Sequence, residues 1–161
     1  MAAVFVYLLR FLFIVIGYAL AALAASLFLN LLVMSAVDLG HDEPLPVALG
    51  SMLFSVPLVA LWIAYIAFFP AMLAILLGEM LGKRDWLYYA LTGAVAAAIV
   101  IGFMTGTSET GHDLATDPGF ALAVIASGMF GGIAYWLVAG RSAGAWRQPG
   151  RETTLPGPSG S

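Results

Sequence analysis

The chain has 161 residues, of which 62% are hydrophobic and 9% are charged; its net charge is −3 and it holds no cysteine. A soluble domain carries roughly 25% charged residues and cannot hide so much apolar surface in one core, so this composition excludes a water-soluble globule and indicates a membrane protein. The missing cysteines exclude thiolate catalysis and Cys-bound metal, and the longest basic run is the pair Lys83-Arg84, which argues against a nucleic-acid partner.

Four apolar stretches without a charged residue follow one another along the chain. They cover residues 11–37, 47–77, 86–104 and 120–139. Each is close to or above the ~20 residues that a helix needs to cross the bilayer, and their unbroken hydrophobicity excludes the alternating pattern of a β-barrel. We therefore predict an all-α integral membrane protein with a four-helix transmembrane domain over 1–140. The tail over 141–161 is rich in Gly, Pro, Ser and Thr, which predicts a disordered cytoplasmic extension.

The first stretch allows two interpretations. Arg10 precedes an apolar segment that ends in small residues near Ala25, which is also the pattern of a cleaved signal peptide. The apolar run continues to Val37, well beyond the about 7–15 residues of a signal-peptide core, and this favours a transmembrane helix from which Arg10 reaches the lipid headgroups.

Several residues inside or beside the spans predict how the helices pack. Pro57 and Pro70 predict a kink or tilt in the long second span, and Asn30 needs a hydrogen-bond partner on another helix. Glu79 is expected to pair with Lys83 or Arg84 at the membrane surface. Small residues at a spacing of four predict close helix contacts: Gly17, Ala21 and Ala25; Ala94 and Ala98; Gly128 and Gly132. Aromatic residues near the cytoplasmic boundary predict an interfacial belt: Trp86, Tyr88, Tyr89, Tyr135, Trp136 and Trp146.

Charge placement predicts the orientation of the chain. All six Lys and Arg residues fall before the first span, between the second and third, or after the fourth, whereas the other two connections hold six Asp and Glu and no positive residue. The positive-inside rule then places both termini in the cytoplasm. The motif Gly-His-Asp at Gly40–Asp42 recurs 71 residues later at Gly111–Asp113, which indicates two duplicated helical hairpins, although coincidence in a biased composition is the alternative.

The two Gly-His-Asp motifs are the candidate metal site. His41, His112, Asp42 and Asp113 would provide nitrogen and oxygen ligands for zinc, copper or nickel if the two outer loops converge. The alternative is a solvated acidic turn in which Asp caps the next helix. The sequence contains no nucleophile motif, zinc-protease motif or phosphate-binding loop, so we expect neither an enzyme nor a bound cofactor.

The fourth span and its exit, Ser127–Arg141 followed by Ala143-Gly144, resemble small uncharacterised four-helix inner-membrane proteins of alphaproteobacteria. This resemblance implies a bacterial cytoplasmic (inner) membrane and carries no functional residue with it. The expected role is a structural or accessory component that acts through helix–helix contacts within the lipid bilayer, with a homodimer or another membrane protein as partner. The alternative is a small transporter or channel subunit with an acidic, cation-attracting outer face. In that case Asn30, Ser55, Thr92 and Ser127 would share one water-accessible cavity.

Overall fold

A computed structural model of the chain describes residues 2–36, 45–106 and 109–142. These ranges contain helices and no strand. The helices are α1 (Ala2–Ala36), α2 (Leu45–Ile66), α3 (Phe68–Leu81), α4 (Trp86–Met104), α5 (Glu109–Thr116) and α6 (Pro118–Val138), and a 3-10 turn follows at Gly140–Ser142. Four segments are long and apolar enough to cross a membrane: Tyr7–Ser35, Leu49–Ile66, Trp86–Met104 and Pro118–Val138. The prediction of four apolar, span-length helices is thereby confirmed.

The second predicted span, 47–77, is not one helix. It is divided at Ala67 into α2 and α3. Pro70 has no backbone N–H, and its ring clashes with the carbonyl of the residue four positions earlier, which is Ile66, the last residue of α2. Pro57 lies inside α2 without ending it. The second span is therefore interrupted, and Pro70 accounts for the position of the break.

The polar connection between the third and fourth spans also differs from the prediction, because it contains the short helix α5. Helix α6 begins directly afterwards. The carboxylate of Asp117 accepts a hydrogen bond from the backbone N–H of Gly119 at 3.0 Å, and Pro118 occupies the first helical position. Both features are typical helix-start signals. Asp117, and not Asp113 of the Gly-His-Asp motif, is therefore the capping residue.

Helix α6 lies at the centre of the bundle. It packs antiparallel against α4 on one side and α1 on the other, while α2 packs against α1 and α3 against α4. Buried side chains from three helices, together with Ala139 just after α6, form a core cluster at one end of the bundle: Ile75, Tyr89, Tyr135 and Ala139. This end contains the start of α1, the connection from α3 to α4, and the end of α6.

Glycines allow α4 and α6 to approach each other at backbone distance. A Cβ atom built on Gly132 would lie 2.0 Å from the carbonyl oxygen of Tyr89, and one on Gly93 would lie 2.2 Å from the carbonyl oxygen of Gly128. No side chain fits at either position. The predicted close contact of Gly128 and Gly132 is confirmed, but its partner face on α4 is Gly93 and Ala97. The sequence had predicted this face at Ala94 and Ala98, each one residue further along α4 than Gly93 and Ala97, and Ala98 is exposed.

The predicted small-residue face of α1 is confirmed as well. A Cβ atom on Gly17 would lie 3.0 Å from the Cβ atom of Ala139, and one on Gly131 would lie 3.0 Å from the carbonyl oxygen of Ala21 and 3.1 Å from the Cβ atom of Ala25. Helix α6 is thus held between two faces of small residues, one on α1 and one on α4.

Candidate functional site

The basic side chains that the structure describes all lie at one end of the bundle. The basic residues Arg10, Lys83, Arg84 and Arg141 lie at the end that holds the core cluster. Glu79 and Asp85 lie at this end as well, whereas Asp113 and Asp117 lie at the opposite end, beside the start of α6. Because neighbouring helices are antiparallel, the alternation of charge along the sequence becomes a difference between the two ends of the molecule.

Arg10 of α1 forms an ion pair with Glu79 of α3 at the basic end. The Arg10 side chain is only 21% exposed and that of Glu79 only 14%. This corrects the expectation that Arg10 extends towards the headgroups, and it gives Glu79 a partner on another helix that its sequence neighbours did not indicate. The two residues are 69 positions apart in sequence, so the pair links distant helices. Their opposite charges cancel.

Tyr89 and Tyr135 belong to the core cluster at this end and are buried, with relative exposures of 3% and 4%. Their ring centroids are 5.4 Å apart. The prediction that both belong to an interfacial aromatic belt is therefore wrong, whereas Trp86 is exposed as expected. Trp146 lies outside the described residues. The hydrogen bond from Trp136 Nε1 to the carbonyl oxygen of Arg84, at 2.6 Å, joins the end of α6 to the connection before α4.

The hydroxyl groups of three tyrosines near this end differ in their hydrogen bonds. Tyr18 donates to the carbonyl oxygen of Ala64 at 2.6 Å, and Tyr89 donates to that of Lys83 at 3.3 Å. The hydroxyl of Tyr135 is buried and has no hydrogen-bond partner among the residues that the structure describes.

A cavity of about 110 Å³ lies in the middle of the bundle. All five helices other than α5 contribute to its walls, and most of the lining residues are Ala or Gly. Its basic-end wall is formed by Tyr18, Tyr89 and Tyr135. A second cavity of about 240 Å³ extends towards the acidic end and shares four wall residues with the first: Ala25, Ile63, Ala67 and Gly128. The sequence could not reveal these cavities, because they arise from small residues on helices that meet only in the fold.

The polar residues inside the spans occupy three separate places. Asn30 accepts a hydrogen bond from the Ser55 hydroxyl at 2.6 Å, which confirms that its partner is on another helix. Its amide nitrogen donates to the carbonyl oxygen of Ser26 at 2.9 Å, and the Ser26 hydroxyl donates to that of Val56 at 2.8 Å. Thr92 lines the smaller cavity and Ser127 the larger one. Each of these two hydroxyls donates to a carbonyl oxygen of its own helix.

The candidate metal ligands are only partly described. His112 and Asp113 lie on α5 and are exposed. His41 and Asp42 lie outside the described residues. Within residues 2–36, 45–106 and 109–142, no three His, Asp or Glu side chains converge as a metal-binding group.

Comparison of the chain with the known protein families, with curated protein sequences and with solved structures gave no match.

Proposed function

We propose that this chain is a structural or accessory membrane protein that acts through lateral contacts of α2 with another transmembrane protein. The proposal depends on the position of Tyr65. Helix α2 touches the bundle through α1, whereas Tyr65 faces away from it and is 81% exposed. Its hydroxyl makes no hydrogen bond to any part of the chain that the structure describes.

Tyr65 is the next-to-last residue of the apolar segment Leu49–Ile66, but it lies level with the interior of the segment Tyr7–Ser35, and at that depth its exposure to lipid is unfavourable. The hydrogen bond between Tyr18 and Ala64 places this part of α2 level with Tyr18, which is eight residues, or about 12 Å, along α1 from Arg10. Tyrosines prefer the membrane interface, where water and headgroups bond the hydroxyl. A hydroxyl in hydrocarbon without a partner costs roughly 2–7 kcal/mol relative to water. A second protein that offers a hydrogen-bond acceptor would remove this cost.

The residues around Tyr65 continue the same surface. Exposed side chains at helical spacing form a stripe along α2 and the start of α3: Phe54, Leu58, Leu61, Trp62, Tyr65 and Phe69. Lipid and a protein helix can both cover a stripe of this kind, so its aromatic residues alone do not distinguish the two neighbours. Together with the hydroxyl of Tyr65, they provide a continuous face for a helix of a second copy or of another membrane protein.

Photocrosslinking in native membranes tests this proposal. Benzoylphenylalanine at position 65 should give one discrete protein adduct, whose mass identifies either a second copy or another protein. Val95 on α4 is the matched control, because it is also exposed and lies at a similar depth, nine residues from the start of α4. The same probe at position 95 should give only lipid adducts. Lipid adducts alone at both positions would contradict the proposal.

The transport alternative has less support. It requires Asn30, Ser55, Thr92 and Ser127 to face one water-accessible cavity. Asn30 and Ser55 instead bond to each other between α1 and α2, and the cavities that Thr92 and Ser127 line are almost wholly apolar. An enzymatic role has no support from the sequence, and we propose none.

We further propose that α1 with α2, and α4 with α6, are two hairpins with both chain termini in the cytoplasm. The four described basic residues at one end and the two acidic residues at the other support this orientation under the positive-inside rule. The resemblance of the fourth span to alphaproteobacterial inner-membrane proteins supports a bacterial cytoplasmic membrane as the location.

A further inference from the structure

We propose that the turn between α3 and α4, together with the groove beside it on α4, binds an anionic phospholipid. The phosphate of the lipid lies at Lys83 and Arg84, and one acyl chain follows the exposed face of α4. The backbone contacts of the turn, the charge around it and the lining of the groove support this assignment. The described lining comes from the turn and α4 alone, so the site is separate from the contact that we propose for Tyr65 on α2.

The backbone of the turn is held by contacts with three helices. Helix α3 ends at Gly82, whose φ of 60° is left-handed, and the backbone N–H of Lys83 donates back into the last turn of α3 at 3.0 Å. The Tyr89 hydroxyl donates to the carbonyl oxygen of Lys83 at 3.3 Å. Trp136 Nε1 donates to the carbonyl oxygen of Arg84 at 2.6 Å. Two consecutive basic side chains are therefore presented from a backbone that is already ordered, which lowers the cost of binding.

The charge around the turn is positive. The guanidinium of Arg141 lies 4.7 Å from the centroid of the Trp136 ring, the same indole that bonds to the turn. Arg10 and Glu79 cancel each other, and Asp85 is the one other acidic residue described at this end. Four positive and two negative side chains are thus described there, which is a net charge of +2. Basic clusters at a membrane surface attract anionic head groups.

Two hydrogen-bond donors beside the groove are not engaged by the protein. Lys83 is exposed, and its ammonium group makes no ion pair or hydrogen bond with a residue that the structure describes. Trp86 is 52% exposed, and its indole N–H likewise has no acceptor within the described ranges. Both groups can donate to the phosphate or ester oxygens of a lipid, and indoles prefer this level of the membrane.

The groove changes from polar to apolar along α4. It has a volume of about 440 Å³ and is lined by Lys83, Asp85, Trp86, Leu87, Tyr88 and Leu91. The leucines are 50% and 52% exposed, and Val95, at 59%, continues the same line. Residues four positions apart lie on one face of a helix, so this stripe runs about 12 Å from Leu87 towards the opposite end of the bundle. A phospholipid has its charge and its acyl chain in this order, whereas a soluble phosphate has no part that would cover the stripe.

Asp85 restricts the charge of the lipid. It lines the polar end of the groove, where its carboxylate repels a second negative charge. A phosphodiester with one negative charge, as in phosphatidylglycerol, suits this end better than a phosphomonoester with two. Asp85 precedes α4 but its side chain makes no capping hydrogen bond, so replacing it by Asn removes the charge without removing a helix cap.

Native mass spectrometry of the purified full-length chain, titrated with phosphatidylglycerol and phosphatidylcholine of identical acyl chains, tests the proposal. Phosphatidylglycerol should bind as one saturable equivalent and be preferred. Lys83→Gln should lower this preference about fivefold, as expected for one lost basic contact at a membrane surface, and Asp85→Asn should raise it. Glycerophosphoglycerol, the same head group without acyl chains, should not displace the lipid. Lys83→Gln should unfold at the wild-type temperature, because the side chain that it changes is exposed.

A pair of double variants separates the site from net charge. Lys83→Gln with Arg84→Gln and Arg147→Gln with Arg151→Gln each remove two positive charges, and the second pair lies in the tail outside the described residues. The first pair should lose the preference for phosphatidylglycerol and the second should keep it. Equal losses in both pairs would overturn the proposal. A preference that Lys83→Gln and Asp85→Asn leave unchanged, or displacement of the lipid by glycerophosphoglycerol, would overturn it as well.

Discussion

Replacing Gly132 by Ala should force α4 and α6 apart. The new Cβ atom would lie 2.0 Å from the carbonyl oxygen of Tyr89, and about 1.4 Å of separation is needed to restore ordinary contact at 3.4 Å. The obstacle is backbone, so no side-chain rotation can relieve it. Overpacking of a core costs about 1–3 kcal/mol, and a backbone obstacle puts this substitution near the upper end. The higher helix preference of Ala offsets about 1 kcal/mol, which leaves a net loss of about 2 kcal/mol.

Gly102→Ala is the matched control for this substitution. Gly102 is on α4, and a Cβ atom there would have no atom within 4 Å. It should gain up to about 1 kcal/mol, so the two variants should differ by about 3 kcal/mol in free energy of unfolding. Reversible unfolding in mixed micelles of mild and denaturing detergent, followed by tryptophan fluorescence, measures this difference. Equal stability of the two variants would refute the backbone contact between α4 and α6.

Three other substitutions test separate contacts. Glu79→Gln should lower the free energy of unfolding by about 2 kcal/mol, because it leaves the largely buried charge of Arg10 uncompensated. The double variant with Arg10→Gln should recover part of this loss. Additive losses in the double variant would contradict the ion pair. Ser55→Ala should cost about 0.6–1.7 kcal/mol through the lost bond to Asn30, and more than Ser35→Ala, whose hydroxyl bonds only to its own helix. Asp117→Ala should cost about 1 kcal/mol and speed hydrogen exchange at the Gly119 amide, and unchanged exchange there would argue against the helix cap.

The sequence was sufficient to predict the apolar helices, because lipid requires long unbroken hydrophobic stretches that are visible without any fold. It also predicted that proline disturbs the second span, and it predicted the small-residue faces of α1 and α6, because both follow from local chemistry at fixed spacing. The four-residue spacing did not distinguish Gly93 and Ala97 from Ala94 and Ala98. In a helix that is apolar on every side, hydrophobicity does not indicate which face is buried.

The site at the basic end depends on contacts between distant parts of the chain. Glu79 has Lys83 and Arg84 as sequence neighbours, yet its partner is Arg10, since α1 and α3 meet there. Tyr89 and Tyr135 match the composition of an interfacial belt, but the glycines Gly78 and Gly140 leave space for the Tyr89 ring. Three glycines at this end, Gly17 on α1, Gly78 on α3 and Gly140 just after α6, were the signal that could have indicated buried aromatic residues.

Labelling of single cysteines tests the placement of the bundle in the membrane most directly, because the chain has no cysteine of its own. Lys83 and Asp113 are exposed at opposite ends of the bundle, which makes them suitable positions. In intact cells, a membrane-impermeant maleimide should label Asp113→Cys at once and Lys83→Cys only after permeabilisation. Labelling of both positions from the same side would contradict a bundle whose basic end faces the cytoplasm and whose acidic end faces outward.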